Sequence, residues 1–228
     1  MRIRTLLLAA ALLPAAGLGA AEPGRAEYAV RWDPAGGGPA SVAELLSFLG
    51  ASKTEGRRYE VRYFDFPAPA GAPAGATPIL RQRVAEDGEA EIRLKYRSPQ
   101  PLPAAWACPD GARFQKSEET DVTFAASGPS RSFAYSCSLD APSPPAFLAA
   151  APKPCSARMV RYEHGGDKIE EWTLPGGAVR LEVSRTGPND AKHATKFGRL
   201  VDRLRARGVK PLDESKTELG SRCPVAKP

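Results

Sequence analysis

Basic side chains recur at every second position in two adjacent segments of this sequence. Arg81 and Arg83 alternate in the first segment, and Arg93 and Lys95 alternate in the second. Residues two apart share one face of a β-strand, so each segment presents a basic face. If these charges converge, they bind an anion through charge-assisted hydrogen bonds, whereas on an ordinary sandwich they face water. The pattern alone favours neither arrangement.

Several other kinds of catalytic chemistry lack their sequence signatures. The two histidines, His164 and His193, form no H-E-x-x-H pair, and the chain has no G-x-S-x-G, P-loop or G-x-G-x-x-G motif. Zinc hydrolase, serine hydrolase, P-loop and dinucleotide-binding functions are therefore disfavoured. A bound metal would be a hard cation such as magnesium, manganese or calcium, held by carboxylates.

Length and charge limit the class of protein further. The 228 residues suit one packed domain. Lysine and arginine (32) exceed aspartate and glutamate (26) by only six, so the charge does not call for a nucleic-acid partner. Proline (23) and glycine (21) cluster in loops, chiefly near 67–78 and 141–154, without a period of three, which excludes collagen.

The N-terminus has the order of a secretory signal peptide. Arg2 and Arg4 precede an apolar run over 6–16, and small residues follow it. We expect a signal peptide over 1–21 and a single exported domain over 22–228, periplasmic or extracellular. An uncleaved N-terminal anchor is the alternative, and no later stretch is long and apolar enough to insert stably into a membrane.

The cysteines agree with export. Cys108, Cys137, Cys155 and Cys223 are even in number and contain no C-x-x-C pair, which favours disulfides over a zinc or redox site. Two disulfides are expected, and all three connectivities remain open.

Hydrophobic periodicity predicts a β-rich domain with two helices. The first helix is predicted over 42–49, after the capping box of Ser41 and Glu44, and the second over 190–208. Strands are predicted over 27–32, 57–66, 79–84, 89–96, 114–124, 132–137, 158–163, 168–174 and 178–185. We expect six to eight of them to form an antiparallel α+β domain or barrel.

Six motifs occur in an order that resembles a known family. They are E-x-A-x-R at Glu27, Ala29 and Arg31, YFDF at 63–66, LRQR at 80–83, EIRLK at 91–95, LEVS at 181–184 and SKTELG at 215–220. Together they resemble the CYTH or triphosphate tunnel metalloenzyme superfamily, through a CYTH-like or VTC-like domain in a divergent exported member. The resemblance implies an eight-stranded antiparallel β-barrel with flanking helices. It also implies that the basic strand faces line a tunnel.

The resemblance implies a set of site residues. The implied phosphate-binding residues are Arg31, Arg81, Arg83, Arg93 and Lys95, together with Arg158, Arg180 and Lys216. Relatives carry E-x-E-x-K in the first strand, where two glutamates hold a divalent ion; this chain keeps Glu27 but has Ala29 and Arg31. Glu27 and Glu182 become the candidate ligands for Mg or Mn. Further replacement carboxylates are available at Glu91, Glu118, Glu119 and Asp121.

Three functions remain open from the sequence. The first is an exported protein that binds, and in its catalytic form hydrolyses, triphosphate or inorganic polyphosphate, with no catalytic residue assigned. The second is a polyanion-binding module without turnover, favoured by the lost glutamate at Ala29. The third is a structural exported domain whose internal charges pair with one another. The expected partner in the first two cases is a polyanionic small molecule; the sequence gives no oligomeric state.

Overall fold

A computed structural model describes residues 22–51, 55–68, 74–102, 106–109 and 113–224. The predicted signal peptide at 1–21 lies outside the described residues. The strands are β1 (Arg25–Trp32), β2 (Arg57–Asp65), β3 (Thr77–Ala85), β4 (Ala90–Ser98), β5 (Gln115–Ala125), β6 (Gly128–Asp140), β7 (Ala151–His164), β8 (Asp167–Thr173) and β9 (Val179–Pro188). The helices are α1 (Val42–Phe48), α2 (Ala191–Ala206) and α3 (Lys216–Ser221).

The strands close into a barrel in the order β1, β5, β6, β4, β3, β2, β7, β8, β9, with β9 returning to β1. The predicted α+β barrel is therefore confirmed, but two details were wrong. The barrel of the described residues has nine strands instead of eight, and β1 and β5 run parallel. A parallel pair needs a long crossover, and the three strands and one helix between β1 and β5 supply it.

One predicted loop is shorter than expected. The Pro-rich loop near 141–154 ends where β7 begins, because Ala151 and Pro152 pair with the end of β2. Proline is tolerated in a strand where the pairing is irregular, and the register of β2 against β7 shifts between Arg62 and Phe64.

Most of the apolar core lies on the outside of the barrel wall, and a smaller cluster that includes Val61, Met159 and Trp172 lines the inside. Phe197, Val201 and Leu204 of α2 pack over β1 and β9, in the helical spacing that the sequence predicted. Elsewhere Leu94 of β4 is fully buried under Trp106 from the loop before β5. Because alternate residues of these strands are covered on the outside, the charged residues between them point into the barrel.

Two disulfides fasten the barrel, which confirms their predicted number. Cys108 bonds Cys137 of β6, and Cys155 of β7 bonds Cys223, just after α3. Among the described residues, no helix combines the length and the apolar character needed to cross a membrane.

Candidate functional site

A cavity of about 140 Å³ lies inside the barrel and is lined mainly by charged side chains. Its cationic residues are Arg81, Arg83, Arg93, Lys95, Arg97, Arg161, Lys168 and Lys216, and its carboxylates are Glu27, Glu119 and Glu170. Three further carboxylates, Glu91, Asp121 and Glu182, form ion pairs with some of these cations. The cations still outnumber the carboxylates by eight to six, which makes the lining suitable for an anion.

One wall of the cavity is basic. Glu91 accepts hydrogen bonds from Arg83 at 2.9 Å and from Arg93 at 2.8 Å, while Arg81 forms no ion pair within the described residues. The Nε atoms of Arg81 and Arg93 are buried without an acceptor there. Burial, together with the nearby charges of Arg83 and Arg93, lowers the pKa of Arg81 to about 10. This wall has cationic donors that the protein itself leaves unsatisfied.

The opposite wall carries a group of three carboxylates. One oxygen each of Glu27, Glu119 and Asp121 lies within 4.8 Å of the others. The parallel pairing of β1 and β5 creates the group, since it sets Glu27 directly beside Asp121. Carboxylate oxygens are the ligands that Mg²⁺ and Mn²⁺ prefer, so this donor set fits such an ion. Lys95 Nζ lies 3.1 Å from Asp121 and 3.4 Å from Glu119, and Arg97 lies 2.9 Å from Asp121.

Two of these carboxyl groups are held in the charged form. Burial alone would raise the pKa of Glu27, but the positive charges of Lys216 and Lys95 outweigh it and lower that pKa. Burial would likewise raise the pKa of Asp121, and Lys95 and Arg97 lower it instead. Both groups are therefore held in the charged form, and a metal ion bound there would replace the contacts of Lys95 and Arg97 with Asp121.

A second buried network surrounds Lys216, the first residue of α3. Its Nζ lies 2.7 Å from Glu182 and 3.1 Å from Glu170. Arg161 contacts Glu170 at 2.6 Å, and Arg31 contacts Glu182 at 3.0 Å. The pKa of Glu170, which burial would raise, is pulled well below its usual value by Lys216 and Arg161, whereas the carboxylates around Lys216 raise its pKa.

The expected metal ligands are only partly brought together. Glu27 belongs to the carboxylate group, but Glu182 is not part of it and instead contacts Arg31 and Lys216. Its place is taken by Glu119 and Asp121, which the sequence offered only as replacement carboxylates.

The expected phosphate-binding residues divide into two sets. Those that line the cavity are Arg81, Arg83, Arg93, Lys95 and Lys216. Arg31 is buried against Glu182 and donates to the Glu214 carbonyl at 3.1 Å. Arg180 pairs with Asp33 at 2.8 Å, and Arg158 is exposed on β7. The last three are not among the lining residues, so we assign them no contact with phosphate.

Some lining residues were not predicted. Arg97 continues the alternation of Arg93 and Lys95, so the same two-residue period would have identified it. Lys168 and Glu170 alternate in β8 in the same way. Arg161 carries no comparable signal, since only the pairing of β7 with β8 brings it to Glu170.

The cavity opens at one end into a wider mouth of about 620 Å³, where β3 ends and β4 begins. Arg83 and Arg161 line both spaces. At the mouth the guanidinium carbons of Arg57, Arg83 and Arg161 lie 5.4, 5.4 and 5.7 Å from the ring centre of Tyr59. These cation–π contacts hold three basic groups around the entrance.

Solved structures share this architecture. A Hippeastrum protein, described as a putative adenylyl cyclase that reveals a dominant triphosphatase activity, matches with a TM-score of 0.50 and 14% identity, covering 84% of this chain and 92% of its own. A Pyrococcus horikoshii protein matches with a TM-score of 0.49 and 16% identity, covering 85% and 98%. A putative adenylate cyclase from Vibrio parahaemolyticus matches with a TM-score of 0.47 and 12% identity, covering 87% and 98%. No protein-family model and no curated protein matches the sequence. At these identities the likeness to the Hippeastrum protein establishes a common fold.

Proposed function

We propose that this barrel, which has the CYTH-like fold expected from the sequence resemblance, binds linear triphosphate or inorganic polyphosphate in its cavity. The observation that carries the proposal is the basic wall, where Arg83 and Arg93 share one carboxylate, Glu91, and Arg81 pairs with none of the described residues. A buried cation without a counter-charge is costly. A polyanion bound beside it would remove that cost.

The chemistry of the wall suits phosphate in particular. Arginine presents a planar fork that matches two phosphate oxygens at once. The buried Nε atoms of Arg81 and Arg93 supply two unsatisfied donors in addition to the terminal nitrogens. Adjacent phosphates in a chain carry closely spaced negative charges, so several of these arginines can be satisfied by one ligand.

We further propose Mg or Mn as the cofactor at Glu27, Glu119 and Asp121. A divalent ion supplies Lewis acidity and lowers the pKa of water. The chain's own residues keep the ligands charged, since Lys95 and Arg97 hold Asp121 ionised. The basic wall orients the phosphates and stabilises negative charge that develops during phosphoryl transfer. In this arrangement the exported protein is a triphosphatase or polyphosphatase.

A binding module without turnover is the second candidate. It is favoured by Ala29, which replaces a metal-binding glutamate of the relatives, and by Lys95, whose amine already contacts two of the three carboxylates. A purely structural barrel is supported less well. The pairs around Glu170 and Glu182 suit it, but the unpaired Arg81 does not.

Export stays part of the proposal and is supported by the two disulfides, because such bonds persist in oxidising compartments. Nucleoside triphosphates are scarce outside the cytoplasm. Inorganic or surface-linked phosphate chains are therefore the preferred ligand class.

Calorimetric titration of tripolyphosphate, with and without Mn²⁺, tests the function. Saturable binding followed by metal-dependent heat establishes the hydrolase, and saturable binding alone establishes the module. A flat trace leaves the structural barrel. Arg81→Gln is expected to weaken binding by about ten- to a hundredfold, the value of one or two charged hydrogen bonds. The matched control is Arg158→Gln, which removes the same charge from the exposed face of β7 and is expected to change nothing.

The metal site has its own test. Ala29 is buried on β1, two residues from Glu27. Ala29→Glu is expected to add a ligand and to increase Mn²⁺-dependent turnover of tripolyphosphate. If turnover and Mn²⁺ affinity both stay unchanged, the assignment of this wall to a metal is wrong.

A further inference from the structure

The short helix α3 lies across one end of the barrel. Its first residues, Lys216 and Thr217, line the central cavity. Leu219 and Gly220 are buried, and a Cβ added to Gly220 would come within 3.0 Å of the Tyr63 ring. The helix therefore packs directly against the barrel wall at this end.

Several contacts hold α3 in place. The Cys155–Cys223 disulfide joins the segment after it to β7, and Arg31 donates to the Glu214 carbonyl just before it. Beyond Lys216, the space bounded by Arg31, Glu182 and Leu219 shrinks to about 10 Å³. That volume is about one water-sized sphere, so a phosphate chain cannot pass.

The opposite end is different. There the mouth of about 620 Å³ leads to the cavity between Arg83 and Arg161. The mouth carries three cations and three carboxylates, Arg57, Arg83, Arg161, Glu89, Glu91 and Asp140. Deeper in the cavity basic groups outnumber carboxylates, and they extend from Arg83 and Arg93 to Lys216 at α3.

We propose that the cavity is blind and takes a linear phosphate chain by its end, with the terminal phosphate innermost. This inference rests on the proposed function and specifies its ligand. A terminal phosphate group has three non-bridging oxygens and a second ionisation near neutral pH, whereas an internal unit has two such oxygens and a single charge. Arg81, which lacks an ion-pair partner among the described residues and lies deeper in the cavity than Arg83, suits the more highly charged end. An internal unit would have to enter as a folded loop, carrying two strands of the chain through the mouth.

The test is binding stoichiometry, measured by analytical ultracentrifugation with a short and a much longer linear polyphosphate. End-on binding predicts one protein per chain end at saturation, whatever the chain length. Chains whose ends are both blocked by a bulky phosphoramidate group are expected to lose this binding. Arg81→Gln serves as the control for contacts with the outer surface, because only binding that it weakens by about ten- to a hundredfold belongs to the cavity.

Two results would overturn the proposal in different ways. If the Arg81-dependent stoichiometry increases with chain length, or if end-blocked chains bind equally well, phosphate chains pass along or through the protein and the blind cavity is wrong. In that case tripolyphosphate still binds and the proposed function stands. If tripolyphosphate itself does not bind the wild-type protein, the proposed function fails and the end-on inference fails with it.

Discussion

Replacing Arg81 by glutamine should stabilise the free protein while it weakens ligand binding. Arg81 is partly buried, with its Nε shielded from solvent, beside Arg83 and Arg93, and its pKa is lowered to about 10. One pKa unit corresponds to about 1.4 kcal/mol, so the lowered pKa makes the charge on Arg81 cost on the order of 3 kcal/mol in the folded state. Glutamine loses some packing, and we expect a gain of about 1–3 kcal/mol in the free energy of unfolding at pH 7.

The direction of this stability change follows from the linkage between proton binding and folding. A base whose pKa is lower in the folded protein binds its proton more weakly there, so its charge opposes folding at every pH below the folded pKa. The destabilising effect of the Arg81 charge decreases only as the pH rises above about 10. The gain of the Arg81→Gln variant should therefore be constant from pH 6 to about 9 and shrink in more alkaline solution.

The gain in the free energy of unfolding is measured by urea unfolding of the oxidised proteins. The wild type, Arg81→Gln and Arg158→Gln are compared side by side. The exposed control should stay within about 0.5 kcal/mol of wild type. Saturating tripolyphosphate should remove most of this gain, because a ten- to hundredfold difference in affinity is worth about 1.4–2.7 kcal/mol in favour of the wild type. An Arg81→Gln protein that is less stable than wild type without ligand would refute the argument that the basic wall is under-compensated.

Three further perturbations have expected results. Lys216→Met should lower the free energy of unfolding by about 3–5 kcal/mol in urea titration, because it leaves two buried carboxylates under-compensated. Burial would raise the pKa of Glu91, but neighbouring arginines lower it to about 2. The stability that Glu91 contributes is therefore present above about pH 5 and lost as the pH falls towards 2. Glu91→Gln should flatten this part of the acid unfolding curve. Replacing Cys155 and Cys223 by serine should cost about 4 kcal/mol, from the loop that the disulfide closes, and should weaken tripolyphosphate binding measured by calorimetry, because α3 carries a cavity-lining lysine. Replacing Cys108 and Cys137 by serine should reduce stability without weakening tripolyphosphate binding.

The features that local sequence determines were predictable. The hairpin of β3 and β4 follows from Asp87–Gly88 and two alternating runs, and the structure pairs Arg81 with Arg93 across it. The α2 helix follows from the spacing of Phe197 and Val201 and from the Asp190 N-cap. In both cases the determining residues are close in the chain.

The metal group was harder to predict because it depends on contacts between distant segments. Nothing near Glu27 indicates that Asp121 lies beside it, since their pairing requires β1 and β5 to run parallel across a long connection. The resemblance of the LEVS motif to that of the related family directed attention to Glu182 on β9, which does lie beside β1 but contacts Arg31. The order of the strands in the barrel determines which carboxylates lie close together, and sequence patterns within single segments do not reveal that order.

The distribution of compensated charge within the barrel argues for a ligand over a purely structural role. Near α3, Glu182 and Glu170 each contact two cations, so the cost of burying these two carboxylates is offset by close ion pairs. On the basic wall Glu91 alone serves two arginines, while Arg81 has no ion-pair partner in the described chain. Buried ion pairs add little stability even when complete, so an incomplete set lowers the stability of the free protein. Such a wall is explained if its missing counter-charge is supplied by an anionic ligand that enters through the mouth to which this part of the cavity opens.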